Sequence, residues 1–370
     1  MKDLVIRADA MRQAGTGHVM RCLALAQAWR NQGGKVTFIS HCESDALKER
    51  IQGEGFGFIA LDNICPDSYD LTKTLSILKN ESSNQKNWLV LDGYYFTPEY
   101  QKAIRKEGIC LLVIDDMNHL PHYHADILLN QNIHAPDIKY CCDKDTTLLL
   151  GTRYVLLRRE FLKYRDYKRL VSNRAKNILV TLGGSDPDNV TLKIIEALKL
   201  LDEPDIMVRI IIGPANLHQE TLRKSIVSAP FSVELLINPP DMPALMAWAD
   251  LALSAGGSTC WELAFFRLPN IILYCADNQK PISEKLHEYG VGLNLGWHTE
   301  LSSNSIAVAI NQIITNQAIR TKMIENADGL VDGRGAVRIC QALEKKLARS
   351  IECQTSVFSR SFYPEDGMRR

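Results

Sequence analysis

Residues 254–279 read SAGGSTCWELAFFRLPNIILYCADNQ, and their reading decides the fold. The apolar run 249–253 ends in Ser254-Ala255-Gly256-Gly257-Ser258-Thr259 and gives way to an amphipathic segment, 260–266. That order predicts strand, glycine turn, helix. Paired glycines let the backbone approach a ligand closely, and Ser258 or Thr259 is expected to cap the helix. Free N–H groups and the positive end of the helix dipole then favour an anion, most naturally a phosphate. Glu262 follows Ser258 by one helical turn on the same face. A carboxylate there can accept hydrogen bonds from ribose hydroxyls while a diphosphate rests on the turn. A second strand, Asn270–Tyr274, delivers Asp277-Asn278-Gln279 to the same carboxyl edge, where open parallel sheets bind their ligands. The plain alternative is a connection whose Gly-Gly serves only the turn.

Outward from this stretch, the pattern repeats in both directions. Short apolar runs at 4–8, 36–40, 56–61, 88–91, 110–114 and 125–129 alternate with helical segments such as 19–29 and 46–52. A further strand lies within 148–157. The charged segment 158–173, RREFLKYRDYKRLVSN, reads as a linker or a helix between domains. Beyond it come strands at 177–182, 207–212, 233–237, 251–253 and 270–274, with helices between them, including 189–200 and 242–249. Short, doubly apolar strands alternating with helices predict parallel sheets covered on both faces. The expected organisation is an N-terminal Rossmann-like domain over 1–160 and a second over 174–349. The helix at 336–348 can pack back across both, and 350–370, with little periodicity, reads as a loose tail.

The 370 residues suffice for two domains of ordinary size. Formal charge is +0, from 43 basic and 43 acidic residues, so no basic field points to nucleic acid or a membrane surface. No apolar run approaches ~20 residues, and MKDLVIRADA lacks the pattern of a secretory leader, so a cytoplasmic monomer is expected. None of the 10 cysteines forms a CxxC, which predicts buried thiols, not a zinc site. His119, His122 and His124 cluster in a proline-bearing connection and read as a solvated or packed loop, with metal binding the alternative.

Three further groups carry chemistry. Gly15-Thr16-Gly17-His18 opens the first helix, placing His18 at an N-terminus that favours the uncharged imidazole, able to accept a proton. An incidental capping histidine is the alternative. Asp92-Gly93-Tyr94-Tyr95 ends another strand of the same half, so Tyr94 can orient a water or sugar hydroxyl, or else simply pack. Gly183-Gly184-Ser185 is a second glycine turn before a helix, in the same half as Gly256-Gly257, and two such turns can hold a diphosphate without a metal. Asp115-Asp116 reads as a strand-end turn, and no GxGxxG, Walker A lysine or GxSxG elbow is present.

Taken together, Gly15-Thr16-Gly17-His18-Val19-Met20-Arg21-Cys22, Gly-Gly-Ser-Asp-Pro at 183–187, and Gly256-Gly257-Ser258-Thr259 with Glu262, Asn278 and Gln279 resemble a known family. These are the UDP-2,4-diacetamido-2,4,6-trideoxy-β-L-altropyranose hydrolases of pseudaminic acid biosynthesis (PseG-like), relatives of the MurG-type transferases. The resemblance covers roughly residues 1–345, and its C-terminal elements are shared with the transferases. It implies a GT-B-like fold, two Rossmann-like domains with parallel sheets facing across a cleft, and hydrolysis of a UDP-sugar with inversion, without metal or cofactor. On it, His18 activates water beside Tyr94, and Glu262 binds ribose. Gly17, Gly184, Ser185, Gly257, Ser258, Thr259, Asn278 and Gln279 line the substrate, with Arg153 or Arg158. A glycosyltransferase using the same donor, or a catalytically silent sugar-nucleotide sensor, are the alternatives.

Overall fold

The computed structural model describes residues 3–11, 15–63, 69–80, 87–213 and 216–360, with side chains described through 348 apart from Asn80. The first half builds β1 (Leu4–Ala8), α1 (Gly17–Asn31), β2 (Val36–Ser40), α2 (Asp45–Gly53), β3 (Gly57–Ala60), α3 (Asp70–Asn80), β4 (Trp88–Asp92), α4 (Pro98–Lys106), β5 (Cys110–Ile114), β6 (Ile127–Asn130) and β7 (Thr147–Leu150). Its sheet is parallel, in the order β3-β2-β1-β4-β5-β6-β7. β1, β4 and β5 are buried along their whole length because helices or crossovers cover both faces. On β1, Leu4, Ile6 and Ala8 join the core under α1, while Val5 joins the opposite core with Leu89, Leu91 and Ile104.

After α5 (Arg159–Leu162) the second half builds β8 (Asn177–Thr181), α6 (Val190–Lys199), β9 (Met207–Ile212), α7 (Gln219–Ile226), β10 (Ser232–Ile237), α8 (Met242–Trp248), β11 (Leu251–Ala255), α9 (Thr259–Phe265), β12 (Asn270–Tyr274), α10 (Lys280–Glu288), β13 (Leu293–Trp297), α11 (Ser303–Thr315), α12 (Gln317–Ala327) and α13 (Gly335–Arg360). Its sheet runs β10-β9-β8-β11-β12-β13, again parallel.

In each sheet the chain starts at the middle, winds to one edge, then returns to wind the other way. The reversal falls between β1 and β4 in the first sheet and between β8 and β11 in the second. Helices leave those two strands toward opposite faces, so a crevice opens at their carboxyl ends. The loops at those ends follow Ala8 and Asp92 in the first sheet, and Thr181 and Ala255 in the second. Every glycine turn singled out in the sequence therefore lies at a point of reversal.

α13 crosses back to the first half, where Ile339, Cys340, Leu343 and Leu347 enter the core beneath α1. Residues 350–360, expected as a loose tail, continue this helix as far as Arg360; residues 361–370 lie outside the described chain. The charged segment 158–173 is helical only over Arg159–Leu162. Beyond that turn it is irregular chain tied to the second half, because Arg169 donates to the carbonyls of Met246, Ala249 and Phe266 at the ends of α8 and α9. A guanidinium there satisfies carbonyls that the two helix ends leave without an intrahelical partner. β13 has no apolar run to announce it, since Asn294 and Gly296 interrupt it.

Candidate functional site

The site begins with α1. His18 and Arg21 are three residues apart, so both side chains leave one face of the helix toward the end of β4. There Asp92, fully buried, accepts from Arg21 through both carboxylate oxygens at 2.6 Å, and its Oδ1 lies 2.6 Å from His18 Nδ1. The other guanidinium nitrogen of Arg21 reaches Asp116 Oδ1, at the end of β5, at 2.8 Å. Asp116 in turn accepts from the Tyr94 hydroxyl at 3.0 Å and from Asn132 Nδ2 at 2.8 Å. The Tyr94 and His18 rings meet edge to face with centroids 5.0 Å apart.

Burial alone would raise the Asp92 carboxyl, but Arg21 and then His18 outweigh it and hold it well below the usual carboxylate range. Asp116 is lowered in the same way, burial being overcome by Arg21. Burial, reinforced by Asp116, pushes the Tyr94 hydroxyl well up, so it remains a donor. The carboxylate fixed on Nδ1 leaves His18 Nε2 as the ring's reactive nitrogen.

The second half faces this group across the cleft. A Cβ placed on Gly17 would sit 3.8 Å from Ser258 Oγ, and one on Gly184 would sit 3.6 Å from Thr16 Oγ1. Asn278 Nδ2 donates to the Tyr94 hydroxyl at 3.1 Å. Arg158 NH2 donates to Glu262 Oε1 at 2.8 Å, and Glu160 flanks the same guanidinium at 3.4 Å. Burial raises the Glu262 carboxyl, with Arg158 opposing. Beside the glycine turns the cleft widens into a cavity of about 430 Å³ between Thr16, Glu43 and Ser44 on one wall and Gly184, Asn216 and Gln219 on the other. Its lining includes Gly15 and Gly184 but not His18, Tyr94, Ser258, Thr259, Glu262 or Asn278.

The glycine turns differ from their expected use. Ser258 occupies the N-cap position of α9 with φ −59° and ψ −23° and makes no capping hydrogen bond, nor does Thr259, the first helical residue. The seven residues of α9 give a small dipole, so the backbone N–H groups of 257–259 are the relevant donors, not the helix as a whole. Gly256 is demanded by packing, because a Cβ would lie 2.2 Å from Ser283 Oγ. At the other turn Asp186 accepts from Val190 N at 2.8 Å and Thr191 N at 2.9 Å, so it, not an external anion, satisfies the start of α6. Ser185 is half-buried beside it.

His18, Tyr94, Gly17, Gly184, Gly257, Ser258, Thr259, Glu262, Asn278 and Arg158 thus share one cleft. Gln279 reaches the same edge, but its Oε1 accepts from Cys275 N at 2.9 Å and its side chain folds onto its own loop. Arg153 is not brought in. It is exposed, stacks on Tyr154 at 5.2 Å, and its carbonyl accepts from Arg338 of α13. Asp115 is saturated by the Tyr123 and Tyr140 hydroxyls and the amides of Met117 and Asn118, which agrees with a strand-end turn. Arg21, Asp92 and Asp116 are the residues of this cluster that the sequence alone does not assign. Arg21 has a signal, the three-residue spacing from His18; the carboxylates have none beyond ending their strands.

Residues 177–336 match the family model described as the glycosyltransferase family 28 C-terminal domain. An uncharacterised protein of Methanocaldococcus jannaschii is 29% identical over 285 residues, which are 75% of this chain and 56% of that protein. The spore coat polysaccharide biosynthesis protein SpsG of Bacillus subtilis is 25% identical over 341 residues, 92% of this chain and 97% of its own. The Helicobacter pylori protein named pseudaminic acid cytidylyltransferase and UDP-2,4-diacetamido-2,4,6-trideoxy-beta-L-altropyranose hydrolase is 26% identical over 292 residues. That stretch is 77% of this chain but 47% of the relative, so the chain spans about half the length of the first and third of these proteins. The crystal structure of Acinetobacter baumannii MurG superposes with a TM-score of 0.64 at 15% identity, over 93% of this chain and 100% of that one. The fold is accordingly GT-B-like.

The buried ionic group makes a pH-dependent prediction. Replacing Arg21 with Met leaves two buried carboxylates without a cation and should cost about 3–5 kcal/mol at pH 7. Asp92 and Asp116 are lowered in the native protein, so their stabilisation is complete above the unfolded value near ~4 and is lost only below it, as pH falls toward their lowered native values. Without Arg21 burial raises the same carboxyls, so the variant gains stability as pH falls from their raised values to the unfolded value near ~4. Urea denaturation should therefore show the gap between Arg21→Met and the parent narrowing from pH 7 toward pH ~4. A gap constant with pH would mean that Arg21 acts through packing alone.

Proposed function

We propose that the protein hydrolyses a UDP-sugar, UDP-2,4-diacetamido-2,4,6-trideoxy-β-L-altropyranose, at the sugar C1–O bond, in pseudaminic acid biosynthesis. The observation that carries this reading is the His18–Asp92 contact at 2.6 Å, set directly across the cleft from the Ser258 turn. His18 Nε2 takes a proton from water, and the carboxylate of Asp92 stabilises the imidazolium that develops. The water oxygen bonds to C1 from the face opposite the leaving group, the C1–O bond breaks, and UDP departs with the electron pair, so configuration inverts. The proton on His18 returns to solvent.

The leaving diphosphate meets the backbone N–H groups of 257–259, donors already in place where charge develops. Glu262, steadied by Arg158, accepts from the ribose hydroxyls. The Tyr94 hydroxyl donates to Asp116 and accepts from Asn278, and its second lone pair remains to position the water. No step calls for a metal or cofactor. The enclosure of His18, 15% exposed with Tyr94 against its ring, suits a nucleophile of water's size. Relatives named for this hydrolysis, at 26% and 27% identity, support the choice of substrate.

A second reading, a MurG-like glycosyltransferase with a UDP-sugar donor, draws on the match of 177–336 to a transferase domain. It shares the nucleotide site and differs in having an acceptor replace the water.

The deciding assay incubates the protein, with EDTA present, with the diacetamido sugar nucleotide and separately with UDP-GlcNAc, and follows UDP release by NMR. Release from the first alone is expected. UDP bound but not released from either compound would move the assignment to the transferase. His18→Asn should lower turnover by roughly 10²-fold or more with UDP affinity retained; an equal loss of UDP affinity would make His18 a structural residue. Glu262→Ala should weaken UDP binding, measured by calorimetry, by about 1–3 kcal/mol. Unchanged affinity would remove Glu262 from the ribose site.

A further inference from the structure

Away from the cleft, the connection between β5 and β6 crosses the first half without a helix. Two side chains of that connection, His122 and His124, converge on Asp143, which lies just before β7. His122 Nε2 is 2.8 Å and His124 Nδ1 is 3.0 Å from the same oxygen, Asp143 Oδ1. Among the described residues these three are the one group of His, Cys, Asp and Glu whose ligand atoms all lie within 4.8 Å of one another. The bridge pairing of Tyr123 with Cys142 holds the two strands of chain in register between them.

We infer that His122, His124 and Asp143 form a binding site for a borderline divalent cation of the Zn²⁺ type, which clamps the β5–β6 crossover to the segment entering β7. Two imidazole nitrogens and one carboxylate oxygen are a donor set zinc accepts, with water as fourth ligand. Bonds of about 2.0–2.1 Å in a tetrahedron separate ligand atoms by roughly 3.3 Å, and the two nitrogen-to-Oδ1 distances here are 2.8 and 3.0 Å. The surroundings support the three ligands. Asp143 Oδ2 is held by Arg105 at 2.6 Å, which leaves Oδ1 for the ion. Cys141 Sγ lies 3.2 Å from His122 Nδ1. A proton on Nδ1, facing that sulfur, directs the Nε2 lone pair at the ion, the usual way an outer partner orients a ligating histidine. Arg105 opposes a cation, and Lys346 adds a second positive charge on the rim. Against them stand Asp126 and Asp145 beside Asp143, both paired with Arg105 at 3.2 and 2.9 Å, and Glu99 near His124. Lys102 beside Glu99 adds a third base, and the four acids, Asp143 included, still outnumber the three bases.

Without an ion the same geometry is a carboxylate accepting two imidazole N–H bonds, and titration separates the two. The tag-free, full-length protein, stripped with EDTA and dialysed, is titrated with ZnCl₂ in a calorimeter. One Zn²⁺ per chain is expected, with a rise in Tm, and His122→Ala and His124→Ala should each weaken binding roughly tenfold or more. Both side chains are partly exposed, at 34% and 24%, so the variants should fold, which circular dichroism checks. Co²⁺ added to the parent gives a second readout that needs no variant: tetrahedral d–d bands without thiolate charge transfer. Absent uptake, uptake indifferent to both substitutions, or a thiolate band placing the ion on cysteine would each overturn the inference.

Discussion

Everything in the cleft of the first half hangs on one buried guanidinium. Asp92 and Asp116 end adjacent parallel strands, β4 and β5, and are almost fully buried; without a cation between them they would repel and would not ionise. Arg21 resolves this by bonding to both. In doing so it fixes a carboxylate on His18 and a second carboxylate under the hydroxyl of Tyr94. On the proposed mechanism these contacts orient His18 as the base and Tyr94 as the phenol that positions water. Such a group gains little net stability from being ionic; it supplies His18 and Tyr94 each with a fixed carboxylate partner.

Topology explains why these residues meet at all. The reversal of strand order puts the end of β1, with the loop into α1, next to the end of β4, so His18 and Asp92 become neighbours across 74 residues. The same reversal in the second sheet brings the Gly183-Gly184 and Gly256-Gly257 turns together. α13 and the irregular segment after Arg158 tie the halves, and direct contacts, Asn278 to Tyr94 among them, hold the two carboxyl edges face to face. On the proposed mechanism base and leaving-group site belong to opposite walls of one cleft, an arrangement that a relative motion of the halves can open for substrate and product.

Much of the fold was legible in the sequence because buried parallel strands write themselves as short continuous apolar runs, and most of these lie where 4–8, 36–40, 110–114 and 207–212 place them. β13 was not legible, since Asn294 and Gly296 break its run and its neighbours, not its composition, make it a strand. At the site, glycine turns and His18 were visible because they stand at junctions of strand and helix. Tertiary pairing was not visible: nothing local distinguishes Arg158, which reaches Glu262, from Arg153 five residues earlier, which faces α13. Likewise the sequence allows Ser258 to cap α9 and a phosphate to meet α6, whereas Ser258 makes no cap and Asp186 already fills the start of α6.

Central to the proposed mechanism is that water, deprotonated by His18, attacks the anomeric carbon and not phosphorus. Hydrolysis in H₂¹⁸O, with sugar and UDP analysed by mass spectrometry, tests it directly. The mechanism predicts one ¹⁸O in the released sugar, measured before its anomeric oxygen exchanges, and none in UDP. Label in the β-phosphate of UDP would mean P–O cleavage, and it would contradict a base and water set against C1 with the diphosphate on the opposite wall.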